Sequence, residues 1–147
     1  MGYACAGMQY LARCHCGQIT AHYHTNRPPS AWELRACQCS FCRAHGALSA
    51  SDPQGLLVFC AAAPALLQRY RFAARSAEFL ICRECGVYVG AQLSAASERR
   101  GILNVRALSV ALSALPRPQA VDYASESSTA RESRRLARWT PLAPESL

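Results

Sequence analysis

Seven of the nine cysteines stand in three short groups: Cys14-x-Cys16, Cys37-x-Cys39-x-x-Cys42 and Cys82-x-x-Cys85. Sulfurs this close in sequence are how a chain supplies tetrahedral zinc, which takes four ligands at about 2.3 Å. The first and last pairs each run into a glycine, Gly17 and Gly86. A glycine there lets the turn fold so that backbone N–H groups face the sulfurs. Two pairs make a closed four-cysteine site, tying an early strand to a late turn. That leaves Cys37, Cys39 and Cys42, three sulfurs without a fourth cysteine nearby. Three protein ligands and one exchangeable position is the arrangement of catalytic zinc. His45, three residues on, could instead close the site, and spacing alone also admits no second metal. Cys5 and Cys60 stand alone and read as small apolar side chains. His15 reads as the residue between two ligands, and His22 and His24 as the polar side of a strand.

The elements that must hold these residues are short and strand-like. "QITAHYH" alternates Ile19, Ala21 and Tyr23 against polar neighbours, the period of a half-buried strand. "AWELRAC" predicts a strand entering the central cysteine group and "GALSAS" one leaving it. "LLVF", "EFLIC", "VYVGAQL" and "ILNVRAL" predict further strands, broken by "DPQG", the "CRECG" turn and the polar "SAASERR". "PALLQRY" fits either a helical turn or a strand. Tyr23, Trp32, Tyr70 and Tyr88 fall in strand contexts and are expected in the core. The sum is a mainly β, mostly antiparallel domain over residues 13–116, after an N-terminal extension of residues 1–12. "LPRPQ" marks its end. Residues 117–147 form a tail in which Thr129 and Glu132 have capping-box spacing for a short helix over about 130–138. Arg131, Arg134, Arg135 and Arg138 share one face of it. That face reads first as solvated surface and second as an anion-binding or docking surface.

Bulk properties narrow the classes. A chain of 147 residues with 51% apolar content supports one core and not two. The net charge is +7, and every basic residue is Arg. Those charges are scattered, which does not argue for nucleic acid. Neither an export signal nor a myristoylation motif is legible at the N-terminus, and the longest apolar run is too short to span a bilayer. The cytoplasm is the expected setting, and cysteines there read as metal ligands before disulfides.

The ordered set C-x-C-G, C-x-C-S-x-C-R-x-x-G-A and C-x-x-C-G resembles the glutathione-dependent formaldehyde-activating enzyme family, which includes the centromere protein V domain. The resemblance covers residues 13 to about 108. It implies a zinc-binding β-tent fold with two zincs. The structural zinc would lie on Cys14, Cys16, Cys82 and Cys85, and a weaker, catalytic one on Cys37, Cys39 and Cys42. It also implies carbon–sulfur lyase chemistry on a thiol–aldehyde adduct, as in S-(hydroxymethyl)glutathione synthesis. Ser40, Arg43 and Gly46 then fall in the substrate-binding motif, with Ala47 beside them, and His45 becomes a proton carrier. Family members often carry other residues where this chain has Ala73-Ala74, Glu78 and Ser109. The partners implied are a small thiol and an aldehyde, with a homodimer left open. The alternatives are a non-enzymatic zinc module, as in related tent folds, and an enzyme of the same fold with another substrate.

Overall fold

The computed structural model describes residues 7–93 and 98–147. Cys5 and most of the expected "SAASERR" loop therefore lie outside the described residues. Strand β1 (Met8–Arg13) pairs antiparallel with β2 (Ile19–Thr25), joined by the first cysteine turn. Along β2 every second side chain is buried, from Ile19 through Ala21 and Tyr23 to Thr25, as the alternation requires. The extension expected over residues 1–12 thus gives way at Met8 to the edge strand of a sheet.

The "AWELRAC" strand is shorter than expected. A 3-10 turn occupies Pro29–Ala31, and β3 spans only Arg35–Cys37. Helix α1 (Ser40–His45) follows, then β4 (Ser49–Ala50) and β5 (Leu56–Ala61), which completes the small sheet in the order β1-β2-β5. "PALLQRY" is both things expected of it, a 3-10 turn at Pro64–Leu66 and then β6 (Leu67–Tyr70). Strands β7 (Ala77–Cys82), β8 (Tyr88–Leu93) and β9 (Arg100–Asn104) form the centre of the large sheet, antiparallel throughout.

The chain keeps packing past residue 116. Strand β10 (Gln119–Val121) lies parallel to β3, pairing Val121 with Cys37. Helix α2 (Ser128–Arg138) follows, and β11 (Thr140–Pro141) pairs with β9. Trp139, Thr140 and Ala143 are buried, and the Ala143 N–H donates to the Leu57 carbonyl of β5. Residues 117–147 are therefore part of the domain's packing, because their apolar side chains complete its core. The large sheet runs β10-β3-β4-β9-β8-β7-β6, with β11 on the side of β9.

The mainly β fold with a short C-terminal helix is as expected. Its two sheets meet where Phe59 of β5 presses on Gly90 of β8. A Cβ at Gly90 would stand 2.7 Å from the Phe59 ring and 2.5 Å from the Ile102 carbonyl oxygen, so only glycine allows this approach. Around that contact Leu57, Leu80, Val89, Leu103 and Val105 are at most 1% exposed. Tyr23 and Trp32 belong to this core, but Tyr70 does not: it is 41% exposed. Among the described residues, no helix is long and apolar enough to cross a membrane.

Candidate metal centres and a basic cavity

The two glycine-ended cysteine pairs form matching turns. The Cys14 N–H donates to the Ile19 carbonyl at 2.9 Å, and the Cys82 N–H donates to that of Val87 at 3.0 Å. Gly17 and Gly86 take φ of +82° and +77°, the left-handed region that swings the chain back over the sulfurs. Ile19 N–H then donates to Cys14 Sγ at 3.2 Å. The turns sit at the ends of the β1–β2 and β7–β8 hairpins, and the fold brings those ends together. All four sulfurs lie within 4.8 Å of one another. Cys14 to Cys16 is 3.7 Å and Cys16 to Cys82 is 3.6 Å. A tetrahedron with 2.3 Å bonds has sulfur edges of about 3.8 Å, so this quartet has the dimensions of a metal cage.

Ionisation within the quartet is uneven. Desolvation opposes a thiolate at Cys85, but the N–H groups of Cys16 and Val87 and the neighbouring sulfurs hold it down to about 6. At Cys16 the Gln18 N–H favours the thiolate. Desolvation and the sulfurs of Cys82, Cys14 and Cys85 outweigh it and push the thiol up to about 12.

The central group is local. Cys37 ends β3, Cys39 caps the N-terminus of α1 with its sulfur accepting from the Cys42 N–H at 3.4 Å, and Cys42 is the buried residue of that helix. The three sulfurs also lie within 4.8 Å of one another, and no fourth ligand joins them among the described residues. His45 is exposed, its ring packed on Phe41 at 4.3 Å. The hydrogen bond from Cys42 holds the Cys37 thiol down to about 5, against its desolvation. The same bond, with burial, pushes the Cys42 thiol far above the ordinary range.

The trio lines a cavity of about 450 Å³, whereas none of the quartet does. Its wall is apolar where Phe72, Phe79, Ile102 and Trp139 stand. The opposite character comes from arginine. Arg35 is two residues before Cys37 on β3, so both side chains leave the same face and both line the cavity. From α2, Arg131, Arg134 and Arg135 line it as well, at i, i+3 and i+4. Arg134 is held by a bidentate pair with Glu126 at 2.8 and 2.9 Å and lies 3.5 Å over the Tyr123 ring. Arg135 donates to Ser76 at 2.7 Å and sits over Trp139.

The family profile for the glutathione-dependent formaldehyde-activating enzyme matches residues 9–126. The chain belongs to that family. A solved structure of a Rhodobacter sphaeroides protein, a structural genomics target, is similar at 28% identity and a TM-score of 0.60. The match covers 76% of this chain and 99% of that one. No curated protein matches the chain.

Within this formaldehyde-activating family member, the expected site residues separate into two sets. Cys14, Cys16, Cys82 and Cys85 come together, as do Cys37, Cys39 and Cys42. Ser40, Arg43, His45 and Gly46 are all exposed and none of them lines the cavity. The reason is the helix: Cys42 turns inward, and these four project from the outer side or the end of α1. Gly46 closes the helix at φ +58°, where its carbonyl accepts from Arg106. Cys60 lies in β5, apart from both sulfur groups.

The positions where family members often carry other residues divide: Ala73 and Ala74 line the cavity, whereas Glu78 does not and is bound by Arg69 and Arg71 at 2.9 Å each. One feature escaped the sequence reading. Tyr88, expected simply as core, is 2% exposed, and its hydroxyl has no hydrogen-bond partner among the described residues. Burial and the charges of Cys42, Cys39 and Cys37 push its phenol well above the ordinary range. The only sequence signal was its place two residues after Gly86.

Proposed function

We propose that the chain is a zinc-dependent carbon–sulfur lyase that joins a small thiol to an aldehyde and splits the adduct. The observation that carries this reading is three converging sulfurs on the wall of a cavity, with no fourth protein ligand beside them among the described residues. Cys14, Cys16, Cys82 and Cys85 would hold a structural zinc, and Cys37, Cys39 and Cys42 a second. The sulfur-only donor sets suit zinc. Zinc at the trio would favour the substrate's thiolate form and polarise the aldehyde oxygen. The thiol loses its proton, the sulfur–carbon bond forms as the carbonyl double bond opens, and the oxygen takes up a proton. Cleavage runs the same steps in reverse. Phe72, Phe79, Ile102 and Trp139 keep bulk water from the reacting atoms.

The family's own reaction supplies the first substrates to try, glutathione and formaldehyde. Exchange NMR on that mixture should show faster interconversion with zinc-loaded protein than without it. The acceleration should vanish in Cys39→Ser. No acceleration at micromolar protein removes this pair of substrates. A different thiol is the second reading, and the observation favouring it is local. Ala73 and Ala74 form part of the cavity wall, and α2 closes it from beyond residue 126. A cytoplasmic setting fits eight described cysteines that are all free.

A further inference from the structure

Helix α2 and the turn before it, residues 122–138, lie over the cavity without packing into the core. No side chain of α2 is buried, and Leu136, its one large apolar residue, is only half-buried. The helix lies beyond residues 9–126, the span that the family profile matches. Its inward face is arginine, and beneath that face is the cavity of about 450 Å³. Its contacts with the other strands and helices are sparse. An 11-residue helix draws little stability from its own propensity and depends on a packed apolar face. Elements without such packing are the ones that open locally.

The segment is braced internally and tied down weakly. Glu126 holds Arg134 through both carboxylate oxygens and reaches Arg131 at 3.8 Å, while Arg131 donates to the Tyr123 carbonyl at 3.3 Å. All four residues belong to the segment, so these bonds travel with it. Among the described residues, three hydrogen bonds cross from its side chains and backbone to the rest of the domain. Ser51 donates to the Arg138 carbonyl at 2.8 Å, Arg138 donates to Glu33 at 3.0 Å, and Arg135 donates to Ser76 at 2.7 Å. The Arg138–Glu33 pair is at least half exposed on both sides, where ion pairs contribute little. Arg135 is the tie across the cavity, since Ser76 stands on the opposite lip, between β6 and β7. Stacking on Trp139 supports it, but its buried Nε has no acceptor among the described residues. Opening to water would satisfy that donor, which lowers the cost of breaking the tie.

Both ends of the segment are fixed. The Val121 carbonyl accepts from the Gln38 N–H at 2.9 Å, and Trp139 is buried beside Thr140, which pairs with Gly101. We propose that residues 122–138 form a lid over the cavity, hinged beside Val121 and Trp139 and latched by Arg135 on Ser76, whose opening sets how fast small molecules reach the cysteine trio. Lids of this kind close a reacting site against water between arrivals. That the arriving molecules are a lyase's substrates rests on the function proposed above, and the movement does not.

Two rates measured on the zinc-loaded protein test the lid. One is hydrogen exchange of the amides of α2, read by mass spectrometry, and the other is removal of metal from the trio by EDTA. Ser76→Ala takes away the latch's acceptor, and Ser76→Asp gives Arg135 a charged one. Ser76→Ala should speed both rates at least threefold, Ser76→Asp should slow both, and exchange in β8 should not change. Exchange of α2 only together with β8 would mean that the helix leaves only when the domain unfolds, which overturns the lid. Rates in α2 that ignore both substitutions overturn it as well. So does faster exchange with metal removal unchanged, because the helix would then open without uncovering the trio. If the trio retains no metal, the rate of maleimide labelling at Cys37, read by peptide mass, takes the place of metal removal. Rates that follow Ser76 in a protein that does not accelerate the thiol–aldehyde reaction would keep the lid and remove the lyase.

Discussion

The quartet and the trio use the same ligand atom for different mechanical jobs. Quartet sulfurs come from two hairpin ends separated by 66 residues between Cys16 and Cys82, and they pin the small sheet to the large one. Trio sulfurs come from one strand end, one loop residue and one turn of helix, between Cys37 and Cys42. Closing the longer loop in the unfolded chain costs roughly 2 kcal/mol more than closing the shorter one. A metal at the quartet therefore removes far more freedom from the unfolded state. The local trio should keep its place without a metal, since β3 is paired on both sides by β4 and β10. On this reading a metal at the long-range set would be structural here, and one at the local set could exchange without unfolding the chain.

The largest effect follows from breaking the long-range set. Structural zinc contributes about 10–16 kcal/mol in small zinc peptides, comparable to or above the 5–15 kcal/mol net stability of a domain. Cys85→Ser should therefore leave the chain unfolded at room temperature, read as loss of near-ultraviolet circular dichroism. A variant that folds and melts normally would show that the quartet is not the pin. Next in size is Cys39→Ser, expected to lower activity at least 100-fold, drop the metal content from two ions to one, and keep the unaltered protein's far-ultraviolet spectrum. His45→Ala serves beside it, since the exposed ring outside the cavity should change kcat/KM less than twofold. A mild chelator should likewise take one metal from the trio and leave the fold. Two metals lost together would erase the distinction.

How much of this was legible in the sequence follows the same division. Spacing identified both sulfur groups, because a local turn must deliver paired ligands, and the glycines marked the turns. Alternation located β2, since one of its faces is buried and the other is not. The strand β1 was missed because Met8 and Leu11 are exposed, 44% and 42%, on an edge strand with no clean period. The role of residues 117–147 was missed for a different reason. Pro116 and Pro118 look like a terminus, and only tertiary pairing with β3, β5 and β9 makes the segment part of the core. The helix was expected from the capping spacing of Thr129 and Glu132, yet Ser127 is the residue that caps it, accepting from the Ala130 N–H. Its arginines could not be assigned to the cavity, because nothing local says which way a helix face will turn once docked.

A smaller effect separates ligand protonation from ligand count. With Cys37 held down to about 5 and Cys42 pushed far up, Cys37 is already a thiolate at pH 7 and Cys42 keeps its proton until a metal displaces it. Metal uptake by the trio therefore releases at least one proton, and affinity should rise about tenfold or more per pH unit between pH 6 and 8. The quartet should slope the same way through Cys16, whose thiol is pushed up to about 12. Acidification then weakens both sites without reversing their order. Competition titrations with a metal indicator at three pH values measure both slopes. A flat trio affinity would mean that no proton is left at the trio to release and that no S–H group joins Cys42 to Cys37.

The smallest expected effect lies between the two regions, at Tyr88. Its chain position is two residues past the quartet turn, and the charges that reach its phenol are those of the trio. A buried hydroxyl without a partner is a desolvated dipole, with nothing to offset the water it gave up. Its ring, by contrast, is well used, edge-on to Phe41 at 5.1 Å and tilted against Phe79 at 5.7 Å. Tyr88→Phe keeps those ring contacts and deletes the dipole alone. Denaturant unfolding of the zinc-loaded variant should show stability unchanged or raised by up to about 1 kcal/mol, with both metals retained. A loss of more than about 1 kcal/mol would mean that the hydroxyl does donate a hydrogen bond in solution. If the second metal weakened with it, the acceptor would be a trio sulfur, and the phenol would belong to the exchangeable site as well as to the apolar cluster it shares with Cys42 and Phe79.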